Sequence, residues 1–402
     1  MMEVVKIIAW VLFFTINGIL AFYFVLPAIL FVISLFIRKK NILSPASGNN
    51  DIDFAAIVTT HQDTRFIPPL VDSFLKQGYP NFTLYIVADD CDTGHLIFED
   101  KRVIILKPEK ALHSKIKSIH YAIDKFVKPH KVMVIFDSDN LVHPDYFKNL
   151  YPYFTRGFKV VQTHMLSKNT ESTFARLDSV GHIYYTFTER KVKMQLGLHS
   201  AILGLGIALD TALYKEIAYK DTIGGFDKKL QSQLAIQVKQ IAFAEDAIVY
   251  DEKIEEGNAL EKQRTRWIYT YFKHFKDSCN LFFSGLKTAS MGRILLGSSM
   301  LRPPMFLLLI AAFTIMAVAA FLKPALFFIW IALLLLYVIN FILIIATQSY
   351  QKGMLNALIF IPFLFLRQLK SLFKIKSAKT AFLKTEHQKI IYIDELLKNE
   401  PI

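Results

Sequence analysis

Long stretches without charged side chains, near both ends of the chain, limit how it can fold. Residues 7–37 contain no Asp, Glu, Lys or Arg, and residues 305–322 and 325–347 form two further uncharged apolar runs. About 20 apolar residues suffice to cross a bilayer as a helix, whereas a secretory signal peptide has a shorter apolar region followed by a cleavage site. The sequence therefore predicts a transmembrane anchor over residues 1–40 and a transmembrane hairpin over residues 301–347.

The distribution of positive charge predicts the side of the membrane on which the middle of the chain lies. The chain has 47 Lys and Arg against 34 Asp and Glu, a net charge of +13, and residues 38–40 are all basic. Cytoplasmic segments beside membrane spans are enriched in Lys and Arg, so we expect a cell-membrane or inner-membrane protein with residues 41–276 in the cytoplasm. The basic residues flank the apolar runs and form no recognisable nucleic-acid-binding module, which argues against a nucleic-acid partner.

Two further segments are expected to lie at the membrane surface. Residues 277–300 connect the middle of the chain to the hairpin, and we predict an interfacial helix there. Residues 354–365 are apolar but short for a span, and residues 367–384 are rich in Lys and Arg. Together they predict an interfacial amphipathic helix and a basic cytoplasmic tail over residues 348–402, with a fourth span as the alternative.

Between the apolar ends, short apolar runs alternate with helical patterns. We predict strands at residues 54–60, 82–88, 103–106, 132–136, 159–163, 207–209 and 247–250. We predict helices at residues 69–77, 114–126, 172–196, 229–241 and 262–276. Strands that alternate with helices imply right-handed crossovers and a mostly parallel sheet. The sequence therefore predicts an α/β domain between transmembrane helices.

The strand at residues 132–136 runs directly into Asp137-Ser138-Asp139. Such an apolar run is typical of a strand buried on both faces of a parallel sheet, and ligands of open α/β sheets bind at the carboxyl ends of the strands. Two carboxylates at that place can hold a divalent cation that in turn holds a diphosphate. A solvated turn after a buried strand would give the same pattern, so other motifs have to decide.

A second motif, QRTRW at residues 263–267, lies on the predicted helix that leads into the membrane segments. With the Asp-x-Asp motif before it, the anchor, the hairpin and the tail motif KTEH at residues 384–387, the chain resembles the family 2 membrane glycosyltransferases with a Q-x-x-R-W signature. That group includes cellulose, chitin, hyaluronan and poly-N-acetylglucosamine synthases and the ceramide glucosyltransferases. The resemblance implies a GT-A-type domain that binds a nucleotide sugar.

The resemblance assigns the first half of the domain to the nucleotide. Thr59, Thr60 and His61 stand where the first strand of the family meets the nucleotide base. Asp89 matches the aspartate of the second strand that contacts the uridine. Lys115 stands where a Gly-Lys pair near the diphosphate is usual, with Ser114 in place of the glycine. These residues would therefore hold a UDP-sugar donor.

The remaining motifs are implied to act on the diphosphate and the acceptor. Asp137 and Asp139 match the Asp-x-Asp motif, so Asp139 and Asp137 would bind Mg²⁺ or Mn²⁺, with Asp139 as the more direct ligand. Gln263, Arg266 and Trp267 match the signature. In the family the basic residue steadies the departing diphosphate, which suits the planar fork of Arg. The Trp lines the acceptor site, where an indole packs against a sugar face.

The catalytic base is the residue on which this chain departs from the family pattern. The family usually shows Thr-Glu-Asp at the start of a helix, and that triplet is absent here. We predict Asp227 as the base, because it opens a predicted helix and precedes the signature by an interval like that of the family. Asp246, just before the strand at residues 247–250, is the alternative. A deletion that shifts the frame would instead place Gln233 at this position and put catalysis in doubt.

The resemblance implies an inverting glycosyltransferase that extends a β-linked polysaccharide processively from a UDP-sugar. About three spans are few for enclosing a polymer channel unless a membrane partner subunit or a homo-oligomer contributes. Transfer of one sugar to a membrane lipid, giving a glycolipid, is therefore the alternative. An alternative of another class is a catalytically silent membrane scaffold subunit, which the missing Thr-Glu-Asp triplet favours.

Overall fold

The structure, a computed structural model of the chain, describes residues 2–37, 51–219, 224–373 and 388–398. The basic residues at positions 38–40 and the tail motif at residues 384–387 lie outside the described residues. The helices are α1 Met2–Phe36, α2 Ile67–Leu75, α3 Lys115–Asp124, α4 Tyr146–Thr155, α5 Thr173–Thr186, α6 Val192–Gln195, α7 Thr211–Lys215, α8 Phe226–Gln237, α9 Gly257–Lys273, α10 Phe275–Lys287, α11 Met291–Leu301, α12 Met305–Leu322, α13 Pro324–Gln348, α14 Met354–Ala357, α15 Ile361–Phe373 and α16 Ile393–Lys398.

The strands form one mixed sheet in the order β3-β2-β1-β4-β7-β6-β8-β5. They are β1 Phe54–His61, β2 Phe82–Asp89, β3 Val103–Leu106, β4 Val132–Asp137, β5 Leu141–Val142, β6 Val160–Ser167, β7 Ile207–Asp210 and β8 Ala242–Asp251. The pairs β1–β2, β1–β4, β2–β3 and β6–β8 are parallel. Strand β7 runs antiparallel between β4 and β6, and β5 is antiparallel to β8. The predicted α/β domain with a mostly parallel sheet is confirmed.

The register of the parallel strands brings polar residues to one edge of the sheet. In β1, Thr59 lies opposite Asp137 of β4, and His61 lies opposite Asp89 of β2. The carboxyl ends of parallel strands meet at the same edge, which is where open α/β sheets bind ligands. The positions of these four residues therefore follow from strand pairing alone.

The core of the domain lies on both faces of this sheet, because successive strand residues point to opposite sides. Phe54 packs on one face against Phe147 of α4, with their ring centroids 5.1 Å apart. Ile57, on the other face, belongs to a cluster that includes Ile119 of α3 and Leu230 of α8. Helices α3 and α8 therefore pack against the same face of the sheet. The first turn of each helix lies at the polar edge.

Two of the differences from the sequence prediction have a clear local cause. Strand β8 begins at Ala242, five residues before the predicted start, and its pairing with β6 shifts register after Ala244. The polar pair Glu245-Asp246 lies at this irregularity, so the apolar pattern shows only the second half of the strand. The predicted helix at residues 172–196 is interrupted by a π-helix, Phe187–Lys191. Periodicity of 3.6 residues does not reveal such an insertion.

Three helices of the described residues, α1, α12 and α13, are long and apolar enough to cross a membrane, judged by length and composition. Helices α1 and α13 pack through aromatic residues, with Phe24 lying 5.8 Å from Trp330 and 5.3 Å from Tyr337 between ring centroids. The buried indole N–H of Trp330 donates a 2.8 Å hydrogen bond to Asn17 Oδ1. The predicted interfacial segment at residues 277–300 is occupied by α10 and α11.

Candidate active site

The Asp-x-Asp loop follows β4 at the polar edge and is tied to the end of β8. The N–H of Asp137 donates to Asn140 Oδ1 at 2.9 Å, and Asn140 Nδ2 donates to Asp251 Oδ1 at 3.1 Å. The side chain of Asp137 is 38% exposed, whereas Asp139 is buried. The loop therefore presents one accessible and one sheltered carboxylate.

Two lysines neutralise this loop. Lys115 Nζ, at the start of α3, forms an ion pair with Asp137 Oδ1 and donates to the Gly204 carbonyl at 2.8 Å. Lys168 Nζ donates to the backbone carbonyl of Asp139 at 2.7 Å, and burial lowers the pKa of Lys168 while Asp139 raises it. Carboxylate oxygens are the ligands that Mg²⁺ and Mn²⁺ prefer. The residues present therefore fit a divalent cation with Lys115 as a neighbouring positive group.

The ends of β1 and β2 form a second polar cluster, around Asp89. The Asp89 carboxylate is buried and accepts hydrogen bonds from the N–H groups of Leu112, at 2.6 Å, and His113, at 2.8 Å. His61 Nδ1 lies 3.1 Å from Asp89 Oδ2, and the rings of His61 and His113 are 5.1 Å apart. His61, Asp89 and His113 could also hold a metal ion, because their ligand atoms lie within 4.8 Å of one another. Motif comparison assigned no role to His113, although it directly precedes Ser114-Lys115.

The backbone at this end of the site adopts unusual conformations. Gln62, Asp90 and His113 have φ values of +56°, +54° and +49°. Residues other than glycine rarely adopt positive φ values, and residues that do so cluster at functional sites. A cavity of about 510 Å³ opens beside them and is lined by Gln62, Asp63, Thr64, Arg65, Asp90, Cys91 and Asp92.

The two threonines of β1 have different environments. Thr60 is buried, and its hydroxyl donates to the Asp63 carbonyl, so it holds the turn after β1. Thr59 is partly buried and lies in register with Asp137. Thr59 is therefore the threonine of β1 that lies beside the start of the Asp-x-Asp loop.

Arg266 of α9 lies near the Asp-x-Asp loop and near the candidate base. Burial lowers the pKa of the Arg266 guanidinium, and the carboxylates of Asp137 and Asp227 raise it. Arg266 thus interacts electrostatically with both predicted site carboxylates. A guanidinium at this place is suited to bind a phosphate group through two parallel hydrogen bonds.

The other signature residues lie on the same helix. Trp267 is 44% exposed, and the guanidinium carbon of Arg264 lies 4.4 Å from the centre of its ring. Arg264 Nη2 in turn donates to Asp178 Oδ1 at 2.7 Å. Gln263 Oε1 is buried and accepts no hydrogen bond from the part of the chain that the structure describes. Arg264, which carries no assigned role in the signature, orients the indole.

Asp227 lies in the first turn of α8, which begins directly after Gly225. The neighbouring Phe226 ring lies 5.1 Å from Lys115 Nζ, so this turn borders the Asp-x-Asp loop. Asp227 also adds to the raised pKa of Tyr219, whose main cause is burial.

The two alternatives to Asp227 lie in other surroundings. Asp246 lies within β8, where its carbonyl accepts a 2.7 Å hydrogen bond from Asn149 of α4. Gln233 lies in the second half of α8 and is partly buried. Asp227 is therefore the candidate that the structure brings near both Arg266 and the surroundings of Lys115.

The glycine before α8 is expected to control the position of Asp227. Gly225 has a φ of +69°, and a Cβ there would lie 2.9 Å from His274 Nε2. The His274 ring is held in place because its Nδ1 lies 2.9 Å from Asp277 Oδ2. We expect Gly225→Ala to lower the transfer rate roughly ten- to a hundredfold, because small displacements of a reacting group are costly. The measurement is kcat with a nucleotide-sugar donor.

Gly224→Ala is the matched control for this variant. Gly224 has a φ of +67°, but the nearest atom to its Cβ would be Thr270 Cγ2 at 3.8 Å. Both variants carry the conformational cost of about 1–2 kcal/mol, and the contact with His274 is added in Gly225→Ala. Equal rates for the two variants would contradict the importance of this contact.

The sheet and the residues at its edge define a nucleotide-sugar transferase fold of the GT-A type. The sequence comparison is more specific, because residues 51–270 match the family described as glycosyltransferase like family 2. The chain belongs to this family, and it is a glycosyltransferase. The alternative of a catalytically silent scaffold is not retained.

One solved structure supports the same fold. The mannosyltransferase PcManGT from Pyrobaculum calidifontis, in complex with GDP-Man and Mn²⁺, matches with a TM-score of 0.57 and 15% identity over 92% of this chain and 98% of that chain. S. aureus TarS 1-349 in complex with UDP-GlcNAc has a TM-score of 0.38 and 17% identity over 55% of this chain and 66% of that chain. No protein of curated function matches the sequence.

Proposed function

We propose that this chain is an integral membrane, inverting glycosyltransferase that uses a nucleoside-diphosphate sugar and Mg²⁺ or Mn²⁺ on the cytoplasmic face. The observation that carries the proposal is that Lys115 pairs with Asp137 and lies 5.1 Å from the ring of Phe226, the neighbour of Asp227. In agreement, the pKa of Arg266, which burial lowers, is raised by the carboxylates of both Asp137 and Asp227. In this arrangement the diphosphate lies between the Asp-x-Asp loop and Arg266. The anomeric carbon then lies between the diphosphate and Asp227.

The proposed donor is a UDP-sugar, as the resemblance to the Q-x-x-R-W enzymes implies. His61 and Asp89 would lie at the nucleoside end, and Lys115 at the diphosphate end. A GDP-sugar is the second candidate donor, because the mannosyltransferase of similar fold was solved with GDP-Man. The two donors differ in the base, so the cluster of His61, Asp89 and His113 would be the part of the site that distinguishes them.

The proposed reaction is a single displacement. Asp227 takes the proton of the acceptor hydroxyl, whose oxygen attacks the anomeric carbon while the bond from that carbon to the diphosphate oxygen breaks. The negative charge that develops on the leaving diphosphate is stabilised by Lys115 and Arg266. A cation held by Asp137 and Asp139 would supply further charge stabilisation when bound.

The proposed acceptor is the end of a growing β-linked polysaccharide, delivered at the membrane surface. Its support is the resemblance and the exposed indole of Trp267 on the helix that leads toward α12 and α13. A membrane lipid that receives one sugar is the second candidate. Three candidate spans in the described residues favour it, because they are few for enclosing a polymer channel.

The test of the proposal uses purified protein in detergent, with added lipid, radiolabelled UDP- and GDP-sugars and Mn²⁺. We expect transfer from one donor, loss of transfer with a chelator, and restoration by Mn²⁺ or Mg²⁺. Product that stays in water and lengthens with time supports the polysaccharide. Product that partitions wholly into organic solvent as a single-sugar species contradicts the polysaccharide and supports the glycolipid. Absence of transfer from every donor, with every metal, would contradict the proposed function.

Trp267→Ala is expected to raise the KM for the acceptor about tenfold, because the apolar face that packs on the sugar is lost. Hydrolysis of the donor in the absence of acceptor should change little, since the diphosphate contacts remain. Phe272→Ala is the matched control, since Phe272 is 52% exposed on the same helix. Equal acceptor KM values for the two variants would remove Trp267 from the acceptor site.

A further inference from the structure

Residues 388–398, which we call the C-terminal clasp, lie against the domain beside the Asp-x-Asp loop. We propose that the clasp, acting through Glu252, positions Asp139 for cation binding. The clasp therefore belongs to the active site, although it is remote from it in sequence. This proposal rests on the proposed function, because it assigns the cation to Asp137 and Asp139.

The clasp is attached to the domain by hydrogen bonds to a buried carboxylate. Glu252 follows β8 directly, and the residue is 7% exposed. Its Oε1 accepts a 2.8 Å hydrogen bond from the N–H of Gln388, and both of its oxygens lie 3.2 Å from the N–H of Lys389. Hydrogen bonds to a charged acceptor are stronger than those between neutral groups. The Glu252 carboxylate thereby fixes the start of the clasp.

Apolar contacts hold the rest of the clasp. Ile393 is fully buried and Leu396 is 9% exposed, and both form one cluster with Leu141 and Tyr250. Leu141 follows Asp139 by two positions, and Tyr250 precedes Glu252 by two. The clasp thus covers β5 and β8 at the points where these strands adjoin the Asp-x-Asp loop.

Two ion pairs at the edge of the clasp are of lesser importance. Asp394 pairs with Lys76 at 2.7 Å, and Lys389 pairs with Glu171 at 2.6 Å. The side chains of Asp394 and Glu171 are 61% and 67% exposed, and exposed pairs contribute little to stability. Glu252 and the apolar pair are therefore the contacts to test.

Glu252 connects the clasp to the predicted metal ligand. The side chain of Glu252 binds the clasp, and the backbone N–H of the same residue lies 3.4 Å from Asp139 Oδ2. The adjacent Asp251 accepts the hydrogen bond from Asn140 that fixes the loop. Partners that orient a metal-binding carboxylate commonly change metal affinity ten- to a hundredfold when they are removed. Release of the clasp should therefore weaken cation binding.

The test compares Ile393→Asp with Tyr392→Asp in the full chain. Ile393 is fully buried, whereas the neighbouring Tyr392 is 41% exposed, so the same charge is placed inside and outside the clasp contact. The Kd for Mn²⁺ is measured by electron paramagnetic resonance in the presence of UDP or GDP. We expect Ile393→Asp to raise it roughly tenfold or more and Tyr392→Asp to leave it unchanged. Transfer by Ile393→Asp should approach the unmodified rate at saturating Mn²⁺.

An Ile393→Asp protein that binds Mn²⁺ as tightly as Tyr392→Asp, whatever its melting temperature, would overturn the proposal. Glu252→Gln keeps the shape of the side chain and removes its charge, so it serves if Ile393→Asp does not fold. We expect Glu252→Gln to weaken Mn²⁺ binding severalfold, and an unchanged Kd would overturn the proposal. If the unmodified chain binds no Mn²⁺ with either nucleotide, the proposed cation site itself is wrong, and the clasp loses its role with it.

Discussion

Asp227→Asn is expected to bind the donor normally and to transfer sugar about a hundredfold more slowly, or worse. Asn has the shape of Asp but cannot take the proton of the acceptor hydroxyl, and a general base contributes roughly 10²–10⁴ to the rate. Asp227 lies in the first turn of α8 and acts electrostatically on Arg266. The measurement is kcat for transfer beside the Kd of the donor.

Asp246→Asn is the matched control for this experiment. Asp246 is an exposed residue of β8, and its backbone carbonyl accepts a hydrogen bond from Asn149 of α4. We expect Asp246→Asn to retain nearly full activity. A severe loss in Asp246→Asn together with near-normal transfer by Asp227→Asn would reverse the assignment of the base.

Asp139→Asn is expected to lower transfer by about a hundredfold or more at ordinary Mn²⁺ concentrations. A bound cation supplies several kcal/mol of charge stabilisation to a leaving diphosphate, and each 1.36 kcal/mol is a factor of ten in rate. The loss should appear as a higher Mn²⁺ requirement, because a neutral amide is a poorer ligand for a hard cation. The measurement is a Mn²⁺ titration of transfer and of donor binding.

Asp145→Asn is the control for the loss of one acidic charge near the same loop. The side chain of Asp145 is 46% exposed and pairs with Lys148 at 3.3 Å. We expect its Mn²⁺ titration to match that of the unmodified enzyme. An Asp139→Asn enzyme with an unchanged Mn²⁺ requirement would place the cation elsewhere, with the cluster of His61, Asp89 and His113 as the next position to test.

The sequence predicted the polar edge of the sheet because the strands that form it are buried on both faces. Strand β4, for example, is a continuous apolar run that ends at Asp137, so its end and its ligand position are visible in the same few residues. In the structure, strand pairing brings Thr59 into register with Asp137. The α/β class of the fold and the position of the candidate site at the strand ends therefore follow from local pattern, whereas the GT-A type was implied by the resemblance.

Other parts of the site could not be predicted, because they depend on contacts between distant segments. Arg264 orients Trp267 only because Asp178 of α5 binds its guanidinium. The clasp contains one short helix, α16, in which Ile393 and Leu396 give too few apolar positions for a periodic signal. Such contacts become apparent only when the chain has folded.

A structure of the enzyme with an intact or non-hydrolysable nucleotide-sugar donor and Mn²⁺ tests the central claim most directly. We expect Mn²⁺ on the carboxylates of Asp137 and Asp139, with Arg266 on the diphosphate. We also expect the Asp227 carboxylate on the acceptor side of the anomeric carbon, close enough to accept a proton from a hydroxyl placed there. Another carboxylate in that position, or a diphosphate bound away from Asp137 and Arg266, would contradict the account.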